Sequence, residues 1–356
     1  MSQVPPSGEP QAYVTPQVIE HRAPNAPPRP AKRGWGGVII GLMLLVMAVG
    51  LGIVIGMVVG NIDMAATDSH VDERYHSLSR FASDKVAIID LEGTILEGDG
   101  FVKKQIDRVK SDKSVKAVVL RVNSPGGTVT GSDFMYHHLV KLREERKIPI
   151  VVSMGSVAAS GGYYVSMCVG DEPNSIYAEP TTWTGSIGVV IPHYDMSGLT
   201  EKLGVTEDSI KSHRLKQMGS PFKEMTEEER KIFQGLVDDS FGGFKAIIKS
   251  GRPAFREHPE NLDKVATGQV FTTSQALAAG LVDKQGFIED AIDRAIEIAK
   301  LDKDDVKVVR YRKPGGLFDV LLDAKVAQRS DLAALFDLTT PRAYYLFSWP
   351  TIAKFE

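Results

Sequence analysis

Three short apolar runs, Val86–Leu91, Ala117–Val122 and Ile148–Ser153, do most to limit what this chain can fold into. Each has the length and continuous hydrophobicity of a strand buried on both faces. Between them lie segments with helical spacing. Phe101–Lys110 places Val102, Ile106 and Val109 on one face, and Asp133–Arg146 reads as a second helix. Strand–helix–strand units of this kind build a mostly parallel sheet covered by helices, an α/β fold. Further along, Ser175–Ala178 and Ser186–Ile191 read as short strands and Asp208–Lys211 as a weaker one. Thr226 and Glu229 form a capping-box start for a helix running to about Lys249, and Ser274–Ala279 and Ile288–Ala299 read as further helices. No internal repeat is present.

The flanks differ in composition. Residues 1–33 carry eight of the nineteen prolines and cannot bury a core, so they read as a disordered tail. Gly34 to Ile62 contains no charged residue, exceeds the roughly 20 residues needed to cross a bilayer, and is too long for the apolar core of a cleavable signal peptide. It reads as a retained transmembrane helix. Arg22, Arg29, Lys32 and Arg33 precede it, whereas Asp63, Asp68, Asp72 and Glu73 follow. The positive-inside rule therefore places the N-terminus in the cytoplasm and the bulk of the chain across the cytoplasmic membrane. Residues 63–84 read as a linker, 85–309 as the folded domain, and 310–356, rich in Leu, Phe, Tyr and Trp, as a tail that docks on the domain or on a neighbouring subunit. A net charge of −3, with scattered Lys and Arg, gives no reason to expect nucleic acid. The single cysteine, Cys168, rules out an intrachain disulfide and a cysteine-based metal site. It sits in an apolar run and reads as a structural thiol.

The chemistry concentrates in Ser153–Tyr164, Ser-Met-Gly-Ser-Val-Ala-Ala-Ser-Gly-Gly-Tyr-Tyr. Small residues surround Ser160 at a strand-to-helix turn, where its hydroxyl can meet a bound carbonyl and backbone amides can hold negative charge. A second glycine-rich strand end, Asn123–Gly127, falls at the same edge of a parallel sheet. This makes the N–H groups of Gly127 and Gly161 candidate oxyanion donors. The general base is open on residues alone. His70, His76, His137, His138, His193, His213 and His258 lie in no motif with an acid partner. The other candidate is a lysine, because an amine desolvated beside a serine falls from about 10.4 towards neutrality and can take a proton. Lys216 and Lys211 are the lysines placed for this.

Four blocks are similar, in order, to those of the signal peptide peptidase A family in its short, single-copy, membrane-anchored form. They are Leu120–Gly127, Ser153–Tyr164, Thr184–Val189, and Ser209-Ile210-Lys211-Ser212 with Lys216. The resemblance covers about Val86 to Ala299. It implies a Clp-protease-like (crotonase-like) fold, assembly of copies into a ring or dome, no cofactor or metal, and a Ser-Lys dyad. Carried over, Ser160 matches the nucleophile and Lys216 the base, with Lys211 as fallback. Ser186 matches the serine that orients the lysine amine, and Gly127 the oxyanion-loop glycine. The chain departs from the pattern in two places. It is longer around Gly170–Ser175, and it carries His213 near a position where relatives usually have glycine.

The resemblance further implies a serine endopeptidase acting on signal-peptide remnants and other apolar or unfolded peptides at the outer face of the membrane. Two other classes share the sequence features. One is a crotonase-type acyl-CoA enzyme using the same amides, for which a membrane anchor is awkward. The other is a catalytically silent scaffold that binds peptides in the same groove.

Overall fold

The computed structural model describes residues 71–313 and 343–346, together with Met43. The sequence-predicted proline-rich tail (1–33), the transmembrane segment (34–62) and most of the C-terminal tail lie outside the described residues. Among the described residues, no helix is long and apolar enough to cross a membrane.

The elements follow in the order β1 (Asp72–Leu78), β2 (Asp84–Glu92), α1 (Phe101–Ser111), β3 (Val115–Ser124), β4 (Gly126–Thr128), α2 (Val129–Arg146), β5 (Ile150–Ala159) and α3 (Gly161–Ser166). Then come β6 (Ile176–Ala178), β7 (Trp183–Gly185), α4 (Ser197–Lys202), a 3-10 turn at Arg214–Gln217, α5 (Glu227–Gly251), α6 (Pro253–Glu257) and α7 (Pro259–Val265). The series closes with β8 (Val270–Thr272), α8 (Thr273–Ala278), β9 (Lys284–Gln285), α9 (Ile288–Ile298), β10 (Val306–Arg312) and β11 (Tyr344–Leu346). Nine strands form one sheet in the order β1-β10-β2-β3-β5-β6-β9, with β7 pairing β5 and β8 beyond it. From β10 to β9 the pairings are parallel, while β1 joins the edge antiparallel to β10.

The continuous apolar runs are explained by two cores, one on each face. Ile89, Leu91, Leu120, Val122, Val152 and Met154 point into the larger core with Leu139, Tyr163 and Phe244. The alternate residues Val86, Ile88, Val119 and Val151 pack under Ala291, Ile292, Ala295 and Ile296 of α9. A strand covered on both faces has no solvent side to mark with polar residues. The capping box predicted for α5 is present: Thr226 Oγ1 accepts from the Glu229 N–H, and the Glu229 carboxylate accepts from the Thr226 N–H. Cys168 is buried, and burial pushes its thiol up to about 12, in keeping with a structural role.

Several boundaries differ from the sequence reading. The presumed linker 63–84 contains β1, and Lys85 ties that strand down: its ammonium donates to Glu73 at 2.8 and 2.9 Å and to Asp112 at 3.0 Å. The polarity of β1 hid it, because an edge strand has one exposed flank. The predicted strand Ser186–Ile191 lies a few residues earlier, at β7, since Ser186 turns away from the sheet with φ +50°. Asp208–Lys211 forms no strand and is exposed. At the C-terminal boundary of the predicted domain, β10 runs past residue 309 to Arg312.

Burial pushes the Asp112 carboxyl upward, but hydrogen bonds from Ser114 and Lys85 outweigh it and hold the group at about 2. With the folded value below the ordinary 3.8, the stabilisation is complete above about pH 4 and lost as pH falls towards 2. Asp112→Asn should therefore cost about 1–2 kcal/mol at pH 7. In urea melts, the gap from the unaltered chain should close between about pH 4 and pH 2.

Candidate active site

Parallel β5 and β7 end side by side, with Ala159 opposite Gly185. The next residue on each strand is a serine, and both serines are forced out of ordinary strand geometry. Ser160 has φ +54° and ψ −114°, and Ser186 has φ +50°. Such values are uncommon for a residue with a Cβ and persist only where the surroundings fix them. The fixing bonds run from Ser160 N–H to the Gly185 carbonyl at 2.8 Å and from Ser186 N–H to the Gln269 carbonyl at 2.7 Å. Both side chains are shielded, at 1 % and 7 % exposure. Ser160 is the residue before α3, so its hydroxyl belongs to a strand-to-helix turn as the sequence reading expects.

The loop after β3 presses on this turn. A Cβ on Gly126 would lie 2.5 Å from the Gly161 nitrogen. One on Gly161 would lie 2.4 Å from Ser132 Oγ, and one on Gly162 would lie 2.8 Å from the Ser124 carbonyl oxygen. The glycines and small residues around Ser160 thus allow two backbone segments to approach to contact. The Ile95 carbonyl accepts from the Thr128 N–H, and the Ile95 N–H donates to the Gly126 carbonyl. The N–H and C=O of Gly127, which lies between them, therefore face the other way, towards β11. That strand, antiparallel to β4 with Tyr345 opposite Gly127, was not foreseen from sequence beyond the expectation that an aromatic-rich tail would dock. Its other flank meets Val190: the Val190 N–H donates to the Tyr344 carbonyl at 3.1 Å, and the Tyr344 N–H to the Val190 carbonyl at 2.9 Å.

Of the predicted residues, Ser160, Ser186, Gly127 and Gly161 are brought to one place. Lys216 is not joined to them within the chain. It is exposed on the 3-10 turn, and among the described residues its amine makes no hydrogen bond to Ser160 or Ser186. Lys211 is also exposed, with its amine on Gln217 Oε1. No histidine hydrogen-bonds Ser160 among the described residues: His213 Nδ1 caps the turn at Leu215, and His76 meets Ser77. The His213 departure from the family pattern is harmless to the backbone, since φ −155° is extended conformation open to any residue. The extra residues around Gly170–Ser175 are exposed from 171 to 174 and follow the far end of α3, away from the Ser160 turn.

The family model for peptidase family S49 matches residues 142–302. The Synechocystis sp. protein named "Putative protease slr0021" is 38 % identical over 230 residues, covering 65 % of this chain and 80 % of that protein. "Putative signal peptide peptidase SppA" of Enterococcus faecium is 37 % identical over 231 residues, covering 65 % and 64 %. "Protease 4" of Salmonella typhi is 34 % identical over 247 residues, covering 67 % of this chain and 38 % of that much longer protein.

Gly126 has φ +95°, and a Cβ there would also lie 2.1 Å from the Tyr345 carbonyl oxygen. Gly126→Ala should thus lower stability by about 1–3 kcal/mol in chemical denaturation. It should also release β11, read as faster amide exchange at residues 343–346.

Proposed function

Since the chain belongs to the signal peptide peptidase A family of serine peptidases, peptidase family S49, we propose that Ser160 and Lys216 form its catalytic dyad, with Lys216 supplied by a neighbouring copy. The observation that carries the serine assignment is the turn itself: a buried hydroxyl on a strained backbone, with Gly161 after it and the glycine loop against it. The neutral amine of Lys216 takes the proton of Ser160, whose oxygen attacks the peptide carbonyl. The N–H groups of Gly127 and Gly161 hold the oxyanion, and Ser186, next to Ser160 in register, orients the amine. The lysinium then protonates the leaving amine, and water releases the acyl group.

The between-chain assignment rests on the segment that carries the lysine. No residue from 188 to 228 is buried, and Tyr194, Met196, Leu199, Leu203, Val205 and Ile210 are exposed along it. So long an apolar stretch with no core of its own suits contact with another copy of the chain, which would bring Lys216 to a neighbour's Ser160 and withdraw it from water. By family likeness the substrates are signal-peptide remnants and other apolar or unfolded peptides. The charge-free segment 34–62, with its basic leading flank, supports anchorage in the cytoplasmic membrane with the catalytic domain outside.

Labelling with a fluorophosphonate should modify Ser160, read by mass spectrometry; an unmodified Ser160 in an assembled, folded sample would overturn the nucleophile assignment. Ser160→Ala and Lys216→Ala should each abolish peptide hydrolysis without disturbing assembly. Co-assembled Ser160→Ala and Lys216→Ala subunits should regain activity, because intact pairs form across contacts; a mixture as inactive as its parts would place the base within the chain. Only the free amine accepts a proton, so the rate should climb from pH 5 to pH 9. A flat profile counts against a lysine base.

A further inference from the structure

Ser186 owes its position to a segment that adds no reactive group. The Ser186 N–H donates to the Gln269 carbonyl at 2.7 Å, and the carbonyl of the next residue, Ile187, accepts from the Gly268 N–H at 2.9 Å. β8 runs antiparallel to β7 with Gly185 opposite Val270, so these two bonds carry the contact beyond the last ladder pair. Regular ladder geometry breaks there, because Ser186 has φ +50° and Gly268 has φ +82°. A positive φ on a residue with a Cβ persists only where its surroundings fix it. Both bonds that do so come from residues 267–269.

That segment is a short bridge between two fixed points. On one side Ala266 is buried, and its N–H donates to the Leu262 carbonyl at 2.8 Å at the end of α7. On the other, Phe271 is buried over Gly185, where an added Cβ would lie 2.5 Å from the ring. Thr272 then caps α8 through a capping box with Gln275. Thr267, Gly268 and Gln269 are themselves exposed, so the bridge acts through its backbone. Space is not what calls for glycine at 268, since a Cβ there would meet nothing within 4 Å. The requirement is the left-handed conformation, which glycine adopts freely, asparagine tolerates and β-branched residues resist.

We propose that residues 267–269 are a backbone clamp for Ser186, and that Gly268 is a positioning residue of the reaction, acting through Ser186. This deepens the peptidase reading and rests on it for the part Ser186 plays in orienting the Lys216 amine. Without the clamp, the chain after Gly185 relaxes towards strand geometry and turns the Ser186 hydroxyl away from its place beside Ser160. A misplacement of about 1 Å at such a group costs on the order of 100-fold in rate. The clamp makes no hydrogen bond to Gly127, Gly161 or Val190 among the described residues, so its loss should act on turnover and spare peptide binding.

The test is steady-state hydrolysis of a quenched-fluorescent leucine–alanine peptide by the full, assembled chain carrying Gly268→Asn, Gly268→Ala or Gly268→Val. The kcat should fall in that order, with Gly268→Ala about ten-fold down and KM within about two-fold of the unaltered chain. Asn above Ala is the order of left-handed tolerance; Ala above Asn is the order of size and overturns the proposal. Gly280→Ala imposes like strain elsewhere (φ +73°, with only a Phe255 ring atom at 3.9 Å) and should lower stability while keeping kcat within about two-fold. An equal loss of kcat at Gly280 overturns the positioning role. Added to Ser186→Ala, Gly268→Ala should cost less than about two-fold of the residual rate, and a full second loss overturns the route through Ser186. Amide exchange reads the clamp without turnover: the Ser186 N–H should exchange about ten-fold faster in Gly268→Ala, and unchanged exchange overturns the clamp. Should Gly268→Ala fail to fold, Thr267→Gly loosens the bridge without straining it; it should speed Ser186 exchange and lower kcat, and the proposal fails if it moves neither. Should Ser186→Ala leave kcat intact, the Ser-Lys reading falls. Should Ser186→Ala lower kcat while the Gly268 series stays flat, the clamp's role alone falls.

Discussion

The close approach of backbone to backbone at the carboxyl edge of the sheet is the constraint on which the site depends. Ser124 to Gly127 descends onto the first turn of α3, with Gly126 against Gly161 and the Ser124 carbonyl against Gly162. A side chain at any of these glycines would part the segments. The Gly185 carbonyl fixes Ser160 in its unusual backbone conformation, and the bonds of Gly126 and Thr128 to Ile95 turn the Gly127 N–H towards β11. The conformational cost is local, of order 1–3 kcal/mol for each strained residue. The buried parallel strands β3 and β5 beneath it offset that cost.

The neighbouring strand end contributes the second half of the arrangement. β7 stops at Gly185, one residue short of Ser186, as β5 stops at Ala159 before Ser160. Two serines then leave adjacent parallel strands at the same level, both with positive φ. Parallel pairing makes this possible: successive strands end at one edge, so residues separated widely in sequence become neighbours there. Beyond this edge the chain runs for some forty residues without a core, carrying Lys216 with it. A rigid half-site and a coreless arm divide the labour that the proposed dyad requires.

The strand β11 closes the same edge from outside, pairing with β4 on one flank and bonding Val190 on the other. Its hydrogen bonds are those of a sheet and its anchor is an aromatic cluster, so it is held by backbone pairing and by one side chain at once. The crotonase-type and scaffold readings drew on the same glycine amides and the same groove. Membership of a serine peptidase family removes the reason for preferring either.

Sequence alone determined the α/β class, the two-faced core strands, the capped helix at Thr226 and the turn that presents Ser160, because each follows from local spacing and residue type. It also supplied Gly127, from the glycine-rich strand end, and Ser186, which came through motif resemblance alone because it does not stand out by itself. What it missed depends on partners distant in the chain. Asp72–Leu78 looks like linker until β10 lies beside it, and Ser186–Ile191 looks like a strand until Gln269 draws Ser186 out of register. Only the tertiary structure decided that Lys216 is exposed, with no hydrogen bond to Ser160 among the described residues, and that Tyr345 lies opposite Gly127. Both are matters of which surfaces meet across long sequence separations, and such meetings are fixed by packing and strand register, which no local pattern encodes.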